Sequence, residues 1–129
     1  MTTLLERLGG EAAVNAVVDK FYDKVFSDST LARFFANTDF TQQRQRQKRF
    51  LIQLMAGEMK DPATYMRNAH LKYVDEMGLG DEHFNTVAGH LVATLKEFKV
   101  SEALIAEVGG ALESLRDPVL NRSAGSAAA

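Results

Sequence analysis

The chain has 129 residues, with 15 lysines and arginines against 17 aspartates and glutamates, for a net charge of −2; that is long enough for one domain to bury a core without metal or disulfide staples. The charge balance gives no basis for electrostatic capture of nucleic acid or an anionic membrane, and no segment approaches the roughly 20 apolar residues that span a bilayer. The absence of cysteine excludes disulfides, thiolate nucleophiles, Cys-ligated zinc and iron–sulfur clusters, and the N-terminal MTTLLERLGGEAAV lacks the basic region and apolar run of an export signal, so a cytoplasmic monomer is expected.

In chain order the periodicity predicts helix after helix and no strand, an all-α protein. Thr3 and Glu6 have capping-box spacing for a short helix with Leu4, Leu5 and Leu8 inward, ended by Gly9-Gly10. A longer helix is expected over Glu11 to Ser27, with Val14, Val17, Val18, Phe21, Tyr22 and Val25 facing the core. Asp28-Ser29-Thr30 then turns the chain into LARFF, and Thr38 or Asp39 caps a glutamine-rich helix running to about Gly57. GEMKDPA reads as a loop, because Pro62 disfavours helical geometry at Asp61. The next helix is TYMRNAHLKYVDEM, ended by Gly78-Leu79-Gly80. Asp81 is expected to cap a helix bearing Phe84, Val87, Leu91 and Leu95, and Ser101 a last one bearing Leu104, Ile105, Val108, Leu112 and Leu115, stopped by Asp117-Pro118. Residues 1–122 form the domain, and the tail 123–129, SAGSAAA, is expected to be disordered.

The glutamine-rich helix carries an anomaly. Phe40, Gln43, Gln47, Phe50 and Leu54 fall on one face, so two neutral amides sit in an inward, otherwise apolar stripe. Three histidines are available to explain it. His83 and His90 are seven residues apart, a rise of roughly 10.5 Å on one helix, too far to share a zinc ion; His83 reads as a surface or capping residue and His90 as solvated or paired with a local polar group. His70 is different, because its helical neighbours are Met66, Tyr73, Val74 and Met77. A histidine so placed is either a hydrogen-bonded core residue or a ligand. Gln43, Gln47 and Tyr22 could satisfy one another in an ordinary bundle. Alternatively, an imidazole on one helix and neutral donors on two others match what a haem with bound O2 requires: a base on one side of the iron and O–H and N–H donors on the other.

From Leu4 to about Arg122 the chain resembles the group I truncated haemoglobins, and cyanobacterial members in particular. The resemblance is carried, in order, by LERLGG, VVDKFYDKVFSDS, RFFANTDFTQQRQRQKRF, YMRNAHLKYV, DEHFNTVAGHLVATL and VLNR. It implies a two-over-two helical sandwich around haem b, with a mostly non-helical stretch before the proximal helix. His70 is then the proximal iron ligand, Tyr22 the distal tyrosine, Gln43 and Gln47 the distal amides, and Phe35 the aromatic that packs on the haem. Phe34, Phe50, Leu79, Phe84 and Val87 are expected to line the pocket. The implied function is reversible binding of O2, and of NO and CO, at ferrous iron; the alternative is detoxification of NO or peroxide, with NO dioxygenation restored by an external reductase.

The departures from the family pattern carry their own expectations. Some cyanobacterial members have a distal iron-binding histidine where this chain has Arg46, which is protonated and has no lone pair to give. Arg46 is therefore expected not to cap the iron and to reach instead for a haem propionate or a distal water, while Gln43, Gln47 or Tyr22 could still bind ferric iron. Some relatives also have a histidine that bonds a haem vinyl where alignment on VLNR places Leu115, so a non-covalent haem is expected. Ala56 before Gly57 and Ala63 replace glycines of the family pattern in the approach to His70. Two rivals remain from other classes: a histidine phosphotransfer module, which needs an exposed histidine, and a plain helical interaction domain, which gives no reason for the distal cluster.

Overall fold

Thr3 opens helix α1 (Leu4–Arg7) by accepting the Glu6 N–H at 3.1 Å. The computed structural model describes residues 3–36 and 38–122; the tail expected to be disordered lies outside them. After α1 the chain reverses through Gly9 at φ +110°, where an added Cβ would lie 2.9 Å from that of Ala13, so this turn requires glycine. Helix α2 (Glu11–Ser27) has the expected bounds and buries Val14, Val18, Phe21, Tyr22 and Val25, with Val17 only partly covered. A 3₁₀ turn, Ala32–Phe35, buries Phe34.

Helix α3 (Phe40–Met55) is capped by Asp39, whose carboxylate accepts the Gln42 N–H at 3.1 Å, and it stops at Met55 rather than near Gly57. Phe40, expected to face inward, is 49 % exposed and instead stacks on Phe26, with centroids 4.4 Å apart. Helix α4 (Pro62–Met77) begins two residues earlier than the sequence reading placed it. Pro62 does hold Asp61 outside helical geometry, at φ −145° and ψ 71°, but the ring itself suits the first helical position, where no N–H is needed. Asp61 accepts the Thr64 N–H at 3.1 Å and its hydroxyl at 2.6 Å, and Gly78 ends the helix in the left-handed region at φ +71°.

Helix α5 (Asp81–Glu97) corrects the expectation for Asp81: Gly80 takes the cap position and Asp81 is already helical. Ser101 does cap α6 (Glu102–Glu113), accepting the Leu104 N–H at 3.3 Å. That helix ends before Asp117-Pro118. Leu115 turns inward at 4 % exposure, and a separate turn of helix, α7 (Arg116–Val119), passes through Pro118.

Helix α2 packs on α3 and α5, and α5 on α6, giving two stacked helix pairs; α4 makes its broadest contact with α7. This is the two-over-two architecture the resemblance implies. Between the pairs, Val18, Val25, Leu31, Thr94 and Leu95 are almost free of solvent, and the Thr94 hydroxyl donates to the His90 carbonyl at 2.8 Å. Outside the core, Arg44 and Lys48 of α3 hold Asp19 of α2, and Arg44 also holds Asp23. Arg116 and Arg122 converge on Asp81. Among the described residues no helix is long and apolar enough to cross a membrane.

Candidate functional site

With α4 anchored to α7 rather than to α2 and α3, the space between these elements stays open as a cavity. It comprises about 1070 Å³ of atom-free volume, counted together with the open solvent at its mouth. Its wall is mostly apolar, and the residues expected to line it, Phe34, Phe35, Phe50, Leu79, Phe84 and Val87, all do so. Tyr22, Gln43, Gln47 and His70 lie on the same wall. These four polar groups reach one apolar chamber from three helices: Tyr22 from α2, the glutamines from α3 and His70 from α4.

The tautomer of His70 is fixed by the backbone. Its Nδ1 lies 2.8 Å from the Met66 carbonyl, an acceptor only, so Nδ1 carries the proton and Nε2 keeps its lone pair. The cavity opens onto the ring and leaves it partly exposed, yet protein packs closely around it. That desolvation lowers its pKa below the ordinary imidazole value, against the opposing pull of the Met66 carbonyl. His70 is thus a neutral base with one free nitrogen, oriented by a hydrogen bond on the other, which is how a metal-binding histidine is normally held.

Burial pushes the Tyr22 phenol well above its ordinary pKa, while the nearby charge of Arg44 pulls the other way, so the hydroxyl keeps its proton. Among the described residues it meets no protein hydrogen-bond partner, and neither do Gln43 and Gln47 bond to it or to each other. The mutual satisfaction that an ordinary bundle would need is absent there. Gln43 is engaged elsewhere: its Oε1 accepts from the Arg46 guanidinium at 2.8 Å. Arg46 is exposed, does not line the cavity, and is turned toward this amide rather than inward.

The cavity has a second imidazole that sequence reasoning assigned to the surface. His83 lies on its wall, edge-on to Phe34 with centroids 4.9 Å apart. The capping half of that expectation holds, since its Nδ1 accepts the Gly80 N–H at 3.0 Å. A neutral His83 therefore carries its proton on Nε2, so of the two imidazoles here only His70 offers a free base. The missed signal was periodicity: His83 is one turn before Val87, on the same face. Tyr73 was read only as a neighbour of His70, and it too lines the chamber. His90 is elsewhere, bonded to Asp28 at 2.7 Å. Among the described residues no three His, Asp or Glu side chains are grouped to hold a metal ion.

The bacterial-like globin family model matches residues 3–121. A group 1 truncated hemoglobin of Synechocystis sp. is 49 % identical, over 95 % of this chain and 100 % of that one. Another from Tetrahymena pyriformis is 38 % identical, over 93 % and 96 %. Among solved structures, the chain is similar to the 2/2 hemoglobin of Synechococcus sp. in the cyanomet state with covalently attached heme. The TM-score is 0.87 and the identity 45 %, over 94 % of this chain and 100 % of the other.

Proposed function

The chain belongs to the bacterial-like globins, its relatives being group 1 truncated haemoglobins, and we propose that it binds one haem b non-covalently through His70 and uses it to hold O2 and other diatomic gases reversibly. The observation that carries this reading is the His70 tautomer: the Met66 carbonyl holds the proton on Nδ1 and leaves Nε2 bare, on a ring that lines an apolar chamber. The residues present fit the group. A flat apolar macrocycle suits the aromatic and aliphatic wall, and a single neutral imidazole is the proximal ligand of haem globins. When bound, the haem supplies a ferrous iron that takes O2, CO or NO.

Everything else is the work of the chain. Phe34, Phe35, Phe50, Leu79, Phe84 and Val87 would pack on the macrocycle and exclude water. Leu115 has no nucleophilic atom for a vinyl group and is buried, which supports a haem held without a covalent bond at that position. Tyr22 O–H, with a Gln43 or Gln47 N–H, would donate to a diatomic ligand. Such bonds strengthen as the ligand gains negative charge, by about 1.5–3 kcal/mol each when charge-assisted, so they favour O2 over the less polarised CO. Retained O2 is also a reactant for NO, giving nitrate; repeated turnover would need an electron from a reductase outside this chain. A phosphotransfer role has less support, because the His70 ring lines an apolar cavity rather than standing on an exposed helix face.

Haemin titration of the purified protein tests the reading. Saturation is expected at one haem per chain for the wild type, with no stoichiometric binding by His70→Ala. A colourless wild type that takes up no haemin would overturn it.

A further inference from the structure

Gln43 has two chemically opposite ends, an acceptor oxygen and a donor nitrogen, and which end meets a ligand decides whether the residue attracts or repels it. Arg46 lies one turn further along α3, on a neighbouring position of its surface. A guanidinium has donors only, so its 2.8 Å contact with Gln43 selects the amide oxygen over the nitrogen. We propose that Arg46 is a positioning residue for the gas site: by holding Oε1 of Gln43 at the protein surface, it leaves that amide's N–H₂ as the end available to the cavity.

Three observations agree with this role. Gln43 lines the cavity while Arg46 does not, so the pair joins an inner residue to an outer one. Arg44 and Lys48, also on α3, are both committed to Asp19, and Arg44 to Asp23 as well. Arg46 has no carboxylate partner among the described residues, and the amide is its partner. Gln47, also on the cavity wall, has no such anchor there and can present either end. The pocket would thus hold one fixed donor beside one adaptable amide. The contact is exposed, so its removal changes stability little; its consequence is orientation.

The effect on O2 rests on the haem reading, but the contact does not, and the test separates the two. In the apoprotein, side-chain amide NMR should show Gln43 more ordered than Gln47 in the wild type, reduced to the level of Gln47 in Arg46→Leu and partly retained in Arg46→Lys. In the haem-loaded ferrous protein, Arg46→Leu should raise the O2 dissociation rate by roughly three- to tenfold, as losing a hydrogen bond of ordinary strength does, with an unchanged melting temperature. It should add nothing once Gln43 is already alanine. Gln43→Glu keeps an acceptor for Arg46 but has no N–H, and should release O2 at least as fast as Gln43→Ala. A Gln43 amide indifferent to Arg46→Leu would overturn the proposal, as would an unchanged O2 rate or a rise that persists in the Gln43→Ala background. If no haemin binds, the haem reading fails, and the apoprotein measurement alone decides whether Arg46 orients the amide.

Discussion

Tyr22 presents a phenol that burial keeps protonated and that has no protein partner among the described residues, in a chamber where a donor is otherwise expensive to leave unmatched. If its partner is the bound gas, Tyr22→Phe removes the bond while leaving the ring's contacts with Phe21 and Phe26. The O2 dissociation rate should then rise roughly tenfold or more, with CO release affected less; stopped-flow exchange of O2 for CO measures both. At this scale the sequence was legible where a polar residue interrupts an apolar stripe, as His70, Gln43 and Gln47 do. It was less legible where two partners from distant positions decide an orientation. Phe40 has the periodicity of an inward residue, yet Phe26 of α2 supplies a stacking surface on the outside. His83 looked like a capping residue, which it is, and the same ring also reaches the cavity wall.

Asp28, just beyond α2, ties that helix to α5. Its carboxylate accepts from the Thr30 hydroxyl and N–H and meets His90 at 2.7 Å. The Thr30 hydroxyl, then His90, then the Thr30 N–H depress its pKa from 3.8 to about 2. A carboxyl depressed by folding stabilises the native state above its ordinary pKa, and that contribution is lost as pH falls from about 3.8 to about 2. Asp28→Asn should therefore lower the urea midpoint at pH 7, and the gap from wild type should close across that acid window; a gap unchanged at pH 2 would contradict the assignment. Deeper between the same helices, Leu95 is 2 % exposed, and Leu95→Ala should cost about 2–5 kcal/mol in urea unfolding. The elements themselves were largely readable, because α2 carries a clean apolar period with end signals on both sides and α6 an apolar period opened by the Ser101 cap; the Asp117-Pro118 stop for α6 was misplaced, because Pro118 is accommodated in α7. The start of α4 lies two residues before Thr64 because the constraint from Pro62 stops at Asp61, which turns it into a cap, while Pro62 and Ala63 are free to join the helix.

For the molecule as a whole, the two helix pairs provide a continuous core, whereas α4 faces the cavity on one side and relies on α7 on the other. Arg67 and Asn121 add backbone ties at its outer end, with Arg67 donating to the Arg122 carbonyl and Asn121 to the Arg67 carbonyl, both at 3.0 Å. Arg33 adds one at the far end, donating to the Met77 carbonyl at 2.7 Å. Haem binding would supply the missing inner contact, so amide exchange in α4 should slow on haemin addition far more than in α2 or α5; equal protection throughout would count against the cavity's role. Helical periodicity alone identified which faces are apolar, but a cavity is a gap between faces that do not touch, and no residue's own spacing announces it. The resemblance to truncated haemoglobins supplied that part, and the position of α4 accounts for it physically. The most direct measurement is the resonance Raman spectrum of the ligand-free ferrous protein. A five-coordinate iron with an iron–imidazole band, lost in His70→Gly and restored by free imidazole, is the predicted result. A band that survives His70→Gly without added imidazole, or a six-coordinate low-spin iron, would contradict a haem held by His70 with its other face open to gas.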